Sequence, residues 1–169
     1  MSLSISILGA GSWGTALAVQ AARNGCQTLL WSHNPSHVAS IAKDKVNQRY
    51  LPDIKLPNTL SVTDSLEAVA QFSPIILISV PSHAFKDTLI KLKPFLNKDS
   101  KIAWATKGFN LDDGLLLNNI VENTLPNNKQ IAVLSGPTFA QEVATGLPTA
   151  ITVASAYPDF SEQLANILH

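Results

Sequence analysis

The chain is poor in three things that would mark a special class of protein. It has one cysteine among 169 residues, Cys26, so no intrachain disulfide forms and the composition suits a reducing compartment. It carries little charge, 14% of residues, with 12 Lys+Arg balancing 12 Asp+Glu to a net charge of zero. No basic field therefore argues for nucleic acid or an anionic membrane surface. It also lacks a long apolar run: the stretch PIILISV at 74–80 has strand length and falls far short of the ~20 residues that cross a bilayer. No positively charged leader precedes the first apolar segment, so no signal peptide is expected. These absences together predict a cytoplasmic protein without an integral membrane segment. What remains, 46% hydrophobic residues, is the composition of one domain with a true core, spanning 1–169.

Strand and helix patterns alternate along nearly the whole chain. Strands are predicted at 3–8, 27–31, 60–63, 75–80, 102–105, 131–134 and 150–154. Helices are predicted at 13–24, 35–44, 84–92, 115–121, 158–168 and from 139 to 144, with a further one after Asp64 as N-cap and Glu67 three residues on. Gly25 is placed to end the first helix in the left-handed conformation. The stretch 45–58, with Pro52 and Pro57, reads as a loop. Repeated β-α alternation implies an α/β fold, a doubly wound, mostly parallel Rossmann sheet with helices on both faces. Cys26, at the entry to the second strand, reads as structural.

The first strand runs into Gly9-Ala10-Gly11-Ser12-Trp13-Gly14 and then directly into helical sequence. In that context Gly-x-Gly-x-x-Gly has a mechanical meaning. Gly9 permits the tight turn, Gly11 lets the backbone approach a pyrophosphate, and Gly14 lets the helix pack on the sheet, while the helix N-terminus offers free N–H groups. A dinucleotide, NAD or NADP, is the expected cofactor.

Ligands of such sheets bind beyond the carboxyl ends of the strands, so the residues that follow each strand are the candidates. Trp13 either packs beside the pyrophosphate or anchors the helix. Trp31-Ser32-His33-Asn34 follows the second strand, where NAD enzymes usually hold a carboxylate for the ribose 2′-OH. None is present, so NADP(H) is expected to be tolerated; the alternative is that His33 is only a solvated loop residue. Val80-Pro81-Ser82-His83 is explained by turn chemistry and an N-cap, with His83 on the surface. Lys107, in Ala105-Thr106-Lys107-Gly108, is placed to offer a cation to a phosphate or developing oxyanion. Ser135-Gly136-Pro137-Thr138-Phe139-Ala140 is either an anion-holding turn or an ordinary helix start. No residue set suggests a metal.

These motifs, with Gly146-Leu147-Pro148-Thr149-Ala150, in their order and spacing, resemble the bacterial NAD(P)-dependent glycerol-3-phosphate dehydrogenase family over essentially the whole chain. The resemblance implies cofactor contacts from Ser12, Trp13, His33, Lys107 and Ala140, and contacts to glycerol phosphate from Lys107, Gly136 and Thr138. It implies reversible hydride transfer between sn-glycerol 3-phosphate and the nicotinamide, giving dihydroxyacetone phosphate. It further implies that the general acid/base lysine lies in a helical C-terminal domain, absent from this chain, so no catalytic residue is expected here. Apolar surface left by an absent packed domain favours self-association, so a homo-oligomer is expected. A non-catalytic nucleotide-binding module and a related β-hydroxyacid or ketopantoate-type reductase are the competing readings; neither explains Lys107 and the 135–140 turn together.

Overall fold

Residues Ser4–Leu8 form a strand, β1, with Ile5, Ile7 and Leu8 fully buried. Such burial on both faces is what an interior parallel strand requires. Around it the computed structural model, which describes residues 3–110, 114–126 and 130–169, places a seven-stranded sheet. In chain order the elements are α1 (Ser12–Arg23), β2 (Gln27–Trp31), α2 (Pro35–Asp44), β3 (Val46–Asn47), β4 (Leu51–Lys55), β5 (Leu60–Thr63), α3 (Leu66–Phe72) and β6 (Ile75–Ile78). There follow α4 (Ser82–Leu92), β7 (Lys101–Trp104), α5 (Leu117–Thr124), β8 (Ile131–Ser135), α6 (Ala140–Thr145), β9 (Thr152–Ser155) and α7 (Pro158–Leu168).

The strand order is β5-β2-β1-β6-β7-β8-β9. All neighbours run parallel except β8 and β9, which pair antiparallel. The order reverses between β1 and β6, and that is the switch point at which doubly wound sheets open a crevice. Side chains alternate between two cores. Ile5, Ile7, Ile75 and Leu77 join α1, α6 and α7 on one face. Leu8, Ile76 and Ile78 join α3, α4 and α5 on the other. Each large aliphatic side chain buried this way contributes roughly 1.5–3 kcal/mol, so the layers are held by the period-two pattern of the strands. Ser6 shares the second face and satisfies its buried hydroxyl by donating to the Val69 carbonyl at 2.8 Å.

Helix α1 ends as predicted. Gly25 has φ +81°, its N–H donates to Ala22 O, and the Cys26 N–H donates to Ala21 O, both at 3.1 Å. This double closure is the Schellman pattern.

Several details differ from the sequence reading. The 45–58 stretch is not merely a loop, since β3 and β4 form a small antiparallel hairpin. Helix α3 is capped by Ser65, whose Oγ accepts from the Ala68 N–H at 3.1 Å, rather than by Asp64. Asp64 instead offers its carbonyl to Trp31 Nε1 at 3.0 Å. Ser82 is the first residue of α4 and caps nothing; the flanking position is Pro81. Helix α5 begins two residues later than expected, at Leu117, after an extended and exposed Leu116.

Candidate functional site

The three N-terminal parts of the glycine motif do different jobs. Gly9, at φ +115°, sits so close to β6 that a side-chain carbon there would lie 2.8 Å from the Ser79 carbonyl carbon. Gly14 is more confined still, for its missing Cβ would overlap the Gly9 carbonyl. Gly11 has open space around it and extended backbone, φ −76°, with no side chain capping α1. The N-terminal N–H groups of α1 therefore face a cleft of about 920 Å³. The macrodipole and the free donors favour an anion at that point.

The cleft runs along the carboxyl edge of the sheet. Gly9, Gly11, Ser12 and Trp13 line it from the glycine turn, and His33, Asn34 and His37 from beyond β2. Ser79, Val80 and Pro81 line it from beyond β6, Lys107 from beyond β7, and Thr138 and Ala140 from beyond β8. Eight of the predicted site residues, Gly9, Gly11, Ser12, Trp13, His33, Lys107, Thr138 and Ala140, thus meet in one space. Gly14 lies beneath it as packing. Gly136 lines an adjoining pocket of about 730 Å³ instead, which shares Trp13 and Lys107 with the cleft. A side chain at Gly136 would overlap the Ala150 carbonyl, so its glycine is demanded by the fold.

Hydrogen bonding marks the same space independently. Among the described residues, the buried side-chain polar atoms without a partner are Trp13 Nε1, Ser79 Oγ and Thr138 Oγ1. All three belong to the cleft lining. An unmet buried donor costs about 1–3 kcal/mol, and three gathered at one place fit a polar ligand. Thr138 as a whole is only 6% exposed. A dinucleotide with a small polar substrate beside it would match this set of donors and the free α1 N-terminus.

Trp13 anchors the helix and also lines the cleft. Its ring packs against the core beneath α1, and the Lys107 ammonium lies over it, 5.3 Å from the ring centre. A cation held on an indole face is attracted by the ring quadrupole, which fixes Lys107 where both pockets meet. The 135–140 turn offers less to an anion than its sequence suggests. The Phe139 N–H already donates to Glu142 Oε2 at 3.3 Å, and the Phe139 ring is 73% exposed. His83 is exposed on α4, as expected. Cys26 is buried away from the cleft, and burial pushes its thiol up to about 11, so at neutral pH it is protonated and unreactive.

Sequence reasoning missed the hairpin's part in the site. Asn47, fully buried, donates to Ala10 O at 3.0 Å and Thr15 Oγ1 at 2.8 Å. Its Oδ1 pairs with His37 Nε2 at 2.9 Å; since both amide hydrogens are spent, the imidazole is the donor. The Ser12 hydroxyl donates to the Tyr50 carbonyl at 2.8 Å. These bonds tie β3 and the turn after it to the glycine loop, bringing Arg49 and Tyr50 to the cleft edge. The partners lie 32–38 residues away in sequence, so no local pattern reports them.

Comparison with known proteins agrees with this geometry. Residues 4–161 match the family described as NAD-dependent glycerol-3-phosphate dehydrogenase N-terminus. The chain belongs to that family. It is 50% identical over 167 residues to the glycerol-3-phosphate dehydrogenase [NAD(P)+] of Aeromonas salmonicida, covering 99% of this chain and 50% of that protein. The same figure holds for the Pseudoalteromonas translucida protein of that name over 165 residues, 98% of this chain and 49% of the relative. The crystal structure of glycerol-3-phosphate dehydrogenase from Coxiella burnetii superposes with a TM-score of 0.94 at 43% identity, over 99% of this chain and 51% of that one. The yeast enzyme, at 23% identity and a TM-score of 0.86 over 100% of this chain and 54% of that one, shares the fold. The chain spans about half the length of the curated relatives it matches.

Proposed function

We propose that this chain holds NAD(H) or NADP(H) in the cleft along its sheet edge. As part of a glycerol-3-phosphate dehydrogenase it would thereby serve hydride transfer between the nicotinamide and C2 of sn-glycerol 3-phosphate, yielding dihydroxyacetone phosphate or the reverse. The observation that carries this reading is the coincidence of the three unpartnered donors with the glycine turn and Lys107 in one space. The cofactor, when bound, supplies or accepts the hydride.

The chain's own residues bind and orient. The free N–H groups of α1 meet the pyrophosphate, with Gly11 giving the clearance. Ser12, Trp13, His33 and Ala140 line the dinucleotide. The Lys107 ammonium, pinned on Trp13, neutralises the substrate phosphate or the oxygen charge that develops as the carbonyl is reduced. The Thr138 hydroxyl and the backbone at Gly136 complete the substrate side. Lys107 serves charge, and exchange of the substrate hydroxyl proton falls to the C-terminal lysine that the family resemblance implies. The reaction would supply the glycerol phosphate backbone of phospholipids, in the cytoplasm, in a homo-oligomer.

Titration of the chain with NADH and NADPH, followed by tryptophan fluorescence, tests the reading. Trp13 and Trp31 line the cleft and Trp104 the adjoining pocket, so saturable binding should perturb the emission. Turnover of dihydroxyacetone phosphate by the chain alone should fall well below that of a full-length relative, since a missing proton-transfer group costs about 10²–10⁴-fold. Absence of any dinucleotide binding by a folded chain would overturn the cofactor assignment, and brisk turnover would overturn the division of labour.

A further inference from the structure

The end of the cleft beyond β2 is where Rossmann proteins read the adenosine ribose. In this chain most polar groups there are already spent. Ser32 Oγ accepts from the Asn34 N–H and pairs with His37 Nδ1, both at 3.3 Å. Asn34 Oδ1 caps α2 by accepting from the His37 N–H at 3.2 Å, and His37 Nε2 is taken by Asn47. His33 and Arg49, both exposed in the cleft lining, remain available to a ligand, as do the Asn34 amide N–H₂ and the Tyr50 hydroxyl; of these Arg49 alone carries a permanent positive charge.

Arg49 arrives from an unexpected direction. It sits in the turn between β3 and β4, and that turn is fastened by the Asn47 bonds and by Ser12 to the Tyr50 carbonyl. Its guanidinium lies over the Tyr50 ring, 5.1 Å from the centre, and the Tyr50 ring in turn meets His37 edge-on at 5.4 Å. The planar fork is thus presented on an aromatic face, and among the described residues it meets no carboxylate. The segments that frame this end, 32–34 and 45–52, contain no acidic residue at all; Asp87, the acid in the lining, comes from α4. A carboxylate here would favour a free ribose diol and repel a phosphate. A stacked guanidinium does the opposite, because its fork matches phosphate oxygens bidentately.

We infer that Arg49 is the residue that recognises the 2′-phosphate of NADP(H), so that the hairpin, rather than the loop after β2, sets the choice between the two dinucleotides. This rests on the cofactor reading above, which covers both dinucleotides alike. The test compares the 169-residue chain with its Arg49→Gln, Arg49→Lys and His33→Ala variants. Dissociation constants for NADPH and NADH are measured by calorimetry, with adenosine 2′,5′-bisphosphate and AMP as smaller probes.

Arg49→Gln should weaken NADPH and the bisphosphate by about tenfold or more, the loss of one charge-assisted contact, and leave NADH and AMP within about twofold. Arg49→Lys should recover part of the loss, as a point charge without the fork. The NADPH affinity of the glutamine variant should also fall less steeply with added salt. Equal losses on both dinucleotides, no loss on either, or a selective loss only in His33→Ala would each overturn the assignment to Arg49. A wild-type chain that binds NADH but not NADPH would overturn it too, with the cofactor reading intact. A folded wild-type chain that binds neither dinucleotide removes the cofactor reading itself, and this inference with it.

Discussion

At the residue scale the glycines separate folding from binding. Alanine is the better helix former by about 1 kcal/mol, so on propensity alone Gly14→Ala should stabilise α1. The missing Cβ at Gly14, however, would overlap the Gly9 carbonyl oxygen, a backbone atom held by the strand turn. Overpacking typically costs about 1–3 kcal/mol, and here the obstacle cannot rotate away, so the steric term wins. Gly14→Ala should therefore lower the stability by about 2 kcal/mol or more in urea unfolding. Gly11→Ala is the converse case. Nothing lies within 4 Å of its missing Cβ, so stability should stay within about 0.5 kcal/mol, while dinucleotide affinity collapses because the methyl occupies the pyrophosphate's approach. Equal stabilities for the two variants would contradict this division. The glycine motif itself was readable from sequence. So was the division of roles among its glycines; what was not readable is which backbone atoms confine them, the Gly9 carbonyl for Gly14 and the Ser79 backbone for Gly9, because these depend on how the chain leaves β1 and β6.

At the element scale the hairpin shows what a local pattern hides. Asn47 looks like a turn residue in a proline-bearing stretch, yet it is fully buried and satisfies three groups from β1's exit, α1 and α2. Asn47→Ala would leave the Ala10 carbonyl, the Thr15 hydroxyl and the His37 ring N–H without partners. The expected cost is about 2–3 kcal/mol, with a parallel loss of dinucleotide affinity as the glycine loop and the hairpin come apart. A stability change under 0.5 kcal/mol in urea unfolding would sink the idea that this amide is the fastening. By contrast, β2, α2, β5 and α7 occupy the residues their patterns predict, since each is fixed by its own periodicity and caps. The strand expected at 75–80 stops at Ile78. Val80 is apolar because it is buried under the turn, and the residue before a proline is pushed toward extended backbone whether or not it is in a ladder. Apolar character reports burial, and burial is not the same as strand pairing. Asp64 and Ser65 illustrate the same limit, for both are good caps by type, and only the path of β5 into α3 decides between them.

At the scale of the whole molecule the cleft joins two halves of one sheet. His33 and Arg49 approach from the β2 side, Lys107 and Thr138 from beyond β7 and β8, and the order reversal between β1 and β6 lies between them. A ligand that touches both sides stabilises the native state of the entire sheet rather than one loop, because the two cores share β1, β6 and β7. With dinucleotide at about a hundred times its dissociation constant, the gain is about 2.7 kcal/mol. For a domain of this size that moves the melting temperature by roughly 5–10 °C. Differential scanning calorimetry should show one transition that shifts as a whole. If the cleft were confined to one half, the ligand would raise only part of the heat absorption and split the peak. The hairpin gives the sharper discrimination. In Asn47→Ala the unliganded chain should melt lower and the ligand-induced shift should shrink, whereas in Gly14→Ala the shift should persist wherever the chain still folds and the loop keeps its course. A single peak that does not move even at high dinucleotide concentration would show that the native chain does not bind it.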